Sequence, residues 1–153
     1  MSEYITTAVF LAFLLTVSLT DYRRGYIYDV CLLPFGAAGL LFMAVGWLNS
    51  PAAAIGGALT GGGVFAFIRV VSRGGMGGGD VKLSLVLGLW LGAEQWLVAV
   101  YAAFWLGLVS ALWVRLTKGD CRSIPFAPCL SVGAFIAWMW GEEIVNFYLA
   151  TAL

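Results

Sequence analysis

Apolar residues fill six stretches of the chain, 4–20, 30–48, 52–71, 81–92, 96–114 and 125–141, separated by short polar connections. Within each stretch the apolar positions run on without the alternation of a half-buried strand, so each predicts a helix apolar on all sides. A helix needs about 20 such residues, with a range near 17–25, to cross a bilayer. Five of the stretches approach or meet that length. The fourth, at twelve residues, does not. At about 1.5 Å per residue it covers ~18 Å of a ~30 Å hydrocarbon layer. Its helix is therefore expected to start or end below a membrane surface, or to borrow residues from its flanks. The tail EEIVNFYLATAL holds too few apolar residues to span and is expected to lie at an interface.

Composition turns this pattern into a class. Of 153 residues, 62% are hydrophobic and only 10% charged, and mean hydropathy is +0.97. A water-soluble domain carries about 45–50% apolar and about 25% charged residues. The expectation is an all-α integral membrane protein of six transmembrane helices, with residues 1–153 forming one domain. In the third stretch, Gly57 and Gly61 stand at the spacing that lets two helices approach closely.

The charges orient the helices. All eight lysines and arginines fall at or beside alternate connections: Arg23 and Arg24; Arg69, Arg73 and Lys82; Arg115, Lys118 and Arg122. The connection near Asn49 carries no charge and the one near Glu94 carries an acid, while Glu3, Glu142 and Glu143 sit towards the termini. Basic loops stay in the cytoplasm, so both termini are expected on the non-cytoplasmic side. Net charge is zero, which leaves no basic surface for nucleic acid. There is no histidine, and Cys31, Cys121 and Cys129 lack the spacing of a zinc site. No metal or other cofactor is expected. The opening MSEYITTAVF lacks the basic start of a cleavable signal.

An acid at the edge of a membrane is expensive and marks a functional position by default. Four acids lie on the basic side: Asp21, Asp29, Asp80 and Asp120. Asp29 opens the second helix where a cap is favoured. Asp120, within TKGDCRS, has the setting of a solvated turn. Asp21 and Asp80 stand at the mouths of two helices on the same face. Two carboxylates held close share one proton; the ionised one can take a proton from water while the other donates to a substrate. The residues alone leave alternatives open. Both could be interfacial acids balancing nearby arginines, or, since paired membrane acids also relay protons, part of a proton-coupled transporter.

Glycine tips the balance. The run GGMGGGD places Gly77, Gly78 and Gly79 directly before Asp80, and glycine permits both positive φ and close approach of another chain. An extended peptide could lie along that run and reach the aspartate. Lys82 reads mainly as an interfacial anchor extending to the headgroups.

Here the sequence resembles a known family. GGGD at 77–80 fits the G-x-G-D signature of membrane aspartyl proteases, and GMGGGDVKL is similar to the type IV prepilin peptidases. DYRRGYI at 21–27 resembles that family's first-aspartate motif, and IPFAPCLSVGAFIA at 124–137 its Pro-Phe-x-Pro block. The resemblance covers nearly the whole chain. It departs where the family usually reads Ile-Pro-Asn and this chain has Ile27, Tyr28 and Asp29. It departs also in lacking the long members' N-terminal part linked to N-methylation, which implies a peptidase-only member and a separate protein for any methylation.

The resemblance implies an aspartic endopeptidase of the cytoplasmic membrane with Asp21 and Asp80 as catalytic pair. It implies a prepilin or pseudopilin precursor as substrate, cut where a basic leader meets a hydrophobic helix, and no cofactor. Asp29 and Asp120 could attract such a leader, and Gly77, Gly78, Gly79 and Lys82 would shape the site. A G-x-G-D protease for other transmembrane substrates is the enzymatic alternative. Surrounding lipid is the other expected partner; the oligomeric state does not follow.

Overall fold

A computed structural model describes residues 1–118 and 126–152. Among them the chain forms helices α1 (Ser2–Arg24), α2 (Asp29–Ala44), α3 (Pro51–Val71), α4 (Gly78–Lys118) and α5 (Ala127–Ala152). Inside α4, Gly92 leaves helical geometry at φ 76° and ψ 170°, a conformation in which an L side chain is strained. The two arms of α4 fold back on each other there. Trp96 Nε1 donates to Ser84 Oγ at 3.0 Å, whereas twelve residues of straight helix would hold their Cα atoms about 18 Å apart. Six helical segments result, one around each apolar stretch. The first arm, residues 78–91, is about 21 Å long, so the short fourth stretch is short in the fold as well.

Side-chain contacts fix the directions. Asp21 of α1 meets Ala127 of α5, while Thr7 and Phe10 meet Trp138, so these helices are antiparallel. Gly57 packs on Gly88 and Gly61 on Ser84, which sets α3 antiparallel to the first arm of α4. The pairs Asp29–Lys82 and Phe35–Trp90 place α2 parallel to that arm. Gly133 against Ala99 and Ala103, with Gly141 against Gln95, sets the second arm antiparallel to α5. Asp21, Asp29, Arg69, Asp80, Lys82 and the start of α5 thus gather at one end of the bundle. Asn49, Gly92, Glu94 and Glu142 gather at the other and line a second cavity of about 490 Å³.

Local chemistry explains several boundaries. Ser50 caps α3 by accepting from the Ala53 N–H at 3.3 Å, with Pro51 following in the first turn. Gly25 ends α1 in the left-handed region and donates its N–H to the Asp21 carbonyl at 2.7 Å. Asn49 Nδ2 donates to the Trp90 carbonyl at 3.1 Å, satisfying an acceptor that the break at Gly92 would orphan. The chain after Gly141 does not separate from the last helix. No proline or glycine follows Gly141, and α5 continues through Glu142 and Glu143 to Ala152.

The core is aromatic. Phe13 stacks on Phe35 at 3.6 Å between ring centroids, Phe35 on Trp90 at 4.2 Å, and Phe10 on Trp138 at 4.6 Å. This column ties α1, α2, α4 and α5 together, and the fully buried Trp90 donates Nε1 to the Phe35 carbonyl at 3.1 Å. On the third side α3 meets α4 backbone to backbone. A Cβ at Gly57 would strike the Gly88 carbonyl, and one at Gly88 the Gly57 carbonyl. Large apolar side chains also point outward, among them Leu15, Leu59, Phe67, Leu108 and Trp113. An outer surface of that kind matches lipid rather than water. By length and composition α1, α3 and Gly78–Thr117 are able to cross a membrane.

Candidate active site

Asp21 lies in the last turn of α1, not beyond it, and is 7% exposed. Two features of the sequence hold it there. Gly25 closes the helix on the Asp21 carbonyl, and Val17, one turn earlier, is fully packed in the core. The carboxylate accepts a hydrogen bond from the backbone N–H of Ala127. Ala127 is the first residue of α5, where an N–H has no partner within its own helix. The other carboxylate oxygen, Oδ2, is buried with no hydrogen-bond partner among the described residues. Buried polar atoms are rarely left so, and a native exception asks for a reason.

Asp80 is the third residue of α4 and accepts from the backbone N–H of Gly77, just before the helix. This is the reach-back of an N3 acid onto the capping residue, and it fixes the carboxylate at the helix mouth. Asp80 and Asp21 are close enough for their charges to interact. Each therefore spends one hydrogen bond on a backbone N–H while lying within electrostatic reach of the other acid. Residues 59 apart in sequence are brought together.

The glycine run takes a different form from the expected one. Gly78 and Gly79 are already helical, and the left-handed residues of the connection are Arg73 (φ 51°) and Gly74 (φ 87°). What Gly78 and Gly79 provide is room. A Cβ on Gly78 would meet the Arg69 guanidinium, and one on Gly79 would lie 2.9 Å from Ile27 Cβ. A cleft of about 460 Å³ opens on this side, lined by Tyr26, Ile27, Tyr28, Asp29, Arg69, Gly78, Gly79 and Lys82. Asp21 and Asp80 are not in its lining; Gly78 and Gly79, the two residues before Asp80, are.

Lys82 and Asp29 form an ion pair that sequence reading did not foresee: Lys82 Nζ lies 2.8 and 2.7 Å from the two Asp29 oxygens. Tyr28, not Asp29, occupies the cap position of α2, and Asp29 is its first residue. The pair clips the start of α2 to the first turns of α4. With both side chains more than half exposed, its strength is that of a surface pair. Alanine at either position is expected to cost no more than ~1 kcal/mol, with a coupling of ~0.2–1 kcal/mol in a double-mutant cycle. Unfolding in detergent measures this, and a coupling of several kcal/mol would refute a merely superficial pair. Asp120 lies outside the described residues. No group of three or more potential metal ligands occurs among the described residues.

The contribution of Ala127 was also missed, though a signal was present. Pro125 and Pro128 flank it; proline belongs at the first turn of a helix, and a helix start exposes free N–H groups that suit a carboxylate.

Comparison with known proteins bears on the same residues. The model of the type IV leader peptidase family matches residues 8–112, a stretch containing both aspartates. The prepilin leader peptidase/N-methyltransferase of Bacillus subtilis (strain 168) is 33% identical over 158 aligned positions, which cover 99% of this chain and 62% of that protein. The proteins of the same name from Neisseria gonorrhoeae and Pseudomonas aeruginosa are each 32% identical, over 90% and 91% of this chain and 50% of their own length. The chain thus spans between 50% and 62% of these relatives. No solved structure matches it. On the match over residues 8–112, the chain belongs to the type IV leader peptidase family.

Proposed function

We propose that the chain is a membrane-embedded aspartic endopeptidase that removes the basic leader from type IV prepilins or pseudopilins. The observation that carries this reading is the convergence of Asp21 and Asp80, with one buried Asp21 oxygen left unpartnered. Family membership supports the substrate class, since the relatives carry the name prepilin leader peptidase.

In the proposed reaction the carboxylate pair holds a single proton. The ionised member takes a proton from a water molecule as the oxygen attacks the scissile carbonyl, and the protonated member donates to the carbonyl oxygen. The C–N bond then breaks as the proton taken from water passes to the leaving amine and the other aspartate takes back a proton from a hydroxyl of the gem-diol, which restores the singly protonated pair. No covalent enzyme intermediate forms, and which aspartate is the base is a property of the coupled pair. An extended substrate backbone lying along Gly77–Gly79 would be within one helical turn of Asp80. The exposure of Gly77 and the place of Gly78 and Gly79 in the lining of the cleft support that path.

The gathering of Arg23, Arg24, Arg69, Arg73, Lys82 and Arg115 at the same end as the aspartates supports a cytoplasmic site in a bundle of six spans. The brevity of the first arm of α4 supports a site set below the membrane surface, where irregular backbone is tolerated only beside a cavity. Asp29, held by Lys82, is a weaker attractor for a basic leader than an unpaired acid would be.

Co-expression of the chain with a prepilin is the test. A shortened prepilin on a gel is expected, and a precursor of unchanged length beside a well-accumulated chain would overturn the reading.

A further inference from the structure

Two buried side-chain polar atoms lack a hydrogen-bond partner among the described residues: Asp21 Oδ2 and Ser131 Oγ. They are not scattered. Ala127, whose N–H serves Asp21, precedes Ser131 by four residues, so both lie on one face of α5, about 6 Å apart along its axis. Further along the same stripe, Trp138 reaches α1 through Thr7 and Phe10. The stripe of α5 that carries Ser131 thus meets α1 on both sides of it, at Ala127 and at Trp138. On α1, Phe10 and Asp21 make these contacts, and Leu14 and Val17, which lie between them in the sequence, are buried.

A lone hydroxyl in a helix normally satisfies itself by bonding back to a carbonyl one turn earlier. Thr6, Thr16, Thr20, Ser110 and Thr151 all do so in this chain, the buried Thr6 included. Ser131 does not, although it is only 5% exposed. Its O–H is thus a free donor one turn along α5 from the Ala127 N–H that serves Asp21. A carboxylate is an acceptor only and a hydroxyl can donate. Buried water characteristically bridges polar groups of this kind that have no other partner.

We propose that Ser131 is a positioning residue for Asp21: its hydroxyl donates, through one buried water in the α1–α5 seam, to the Asp21 oxygen that no other group serves. Ala127 then fixes one oxygen of the carboxylate and Ser131 the other, so the group cannot rotate away from Asp80. The inference rests on the assignment of Asp21 to the catalytic pair, and goes beyond it by naming a residue that acts through Asp21 without touching substrate.

The test compares Ser131→Val, Ser131→Thr, Ser131→Ala and Asp21→Asn in the full chain, purified in detergent and assayed on a prepilin. Valine keeps the size of threonine without the hydroxyl, and alanine removes the hydroxyl without adding bulk to the seam. Both are expected to lower kcat about tenfold, as for a lost hydrogen bond to a charged group, with KM within about twofold of wild type. Threonine is expected to restore most of the rate. Wild-type kcat in Ser131→Ala, or equal losses in the threonine and valine variants, would overturn the role of Ser131 while Asp21→Asn remained inactive. An active Asp21→Asn would instead remove the group that Ser131 serves and overturn both readings.

Discussion

Asn at position 21 or at position 80 is expected to lower prepilin cleavage by at least about 10²–10⁴-fold, the scale of one general acid or base. Folding should survive both changes. Asn has the shape of Asp, and its carbonyl can still accept the Ala127 N–H at position 21 or the Gly77 N–H at position 80. That choice matters because Asp80 has a second possible purpose. An acid at the third position of a helix, bonded to the N–H just before it, is an ordinary cap. If capping were its whole role, Asn would serve nearly as well and activity would persist. If Asp21 were only an interfacial acid balancing Arg23 and Arg24, removing its charge would alter accumulation more than rate. Loss of cleavage with normal accumulation in both variants separates the catalytic reading from both of these; measured rates above a tenth of wild type in either would refute it.

The largest structural effect is expected at the α3–α4 contact. Gly57→Ala places its Cβ against the Gly88 carbonyl and 2.7 Å from Gly92 Cα, and Gly88→Ala places one against the Gly57 carbonyl. All of these are backbone atoms, which cannot rotate aside, so even one methyl group must push two helices apart. Overpacking of this kind costs about 1–3 kcal/mol and sometimes more. It acts here on the surface that sets the first arm of α4, and hence on Asp80. Gly63→Ala provides the control, since nothing lies within 4 Å of its added Cβ. There the better helix propensity of alanine should stabilise by up to about 1 kcal/mol. Thermal unfolding in detergent is expected to order the proteins Gly63→Ala, wild type, Gly57→Ala from most to least stable. Equal stability of the two alanine variants would contradict the close approach of α3 and α4.

Much of the architecture was legible because apolar runs and breaks are local signals. Each of the six stretches became a helical segment, and the brevity of the fourth was visible as a run ending at Gly92. The break at that glycine was visible too, because Glu94 and Gln95 interrupt the apolar run, and the Trp96–Ser84 bond shows the chain turning back there. The continuation of α5 past Gly141 was missed because hydropathy falls at Glu142 and Glu143 while helix propensity does not.

At the candidate site the sequence reveals which residues carry chemistry, but less of how they are held. Asp21 and Asp80 stand out as acids at the ends of apolar runs. Their approach depends on how α1 and α4 pack, which no local pattern encodes. The Ala127 N–H is marked by nothing in its own side chain, only by the flanking Pro125 and Pro128. Lys82 reads as an anchor when taken alone, since its partner Asp29 lies 53 residues away. Gly78 and Gly79 invite an argument from backbone freedom, yet they are helical and matter for the space they leave beside Arg69 and Ile27.

The most direct measurement is mass spectrometry of a prepilin incubated with the purified chain in detergent. Two products are predicted, parted where the basic leader meets the hydrophobic segment, from the wild-type chain and from neither Asp21→Asn nor Asp80→Asn. An intact prepilin after incubation with folded wild-type protein, or the same two products from either asparagine variant, would contradict the account.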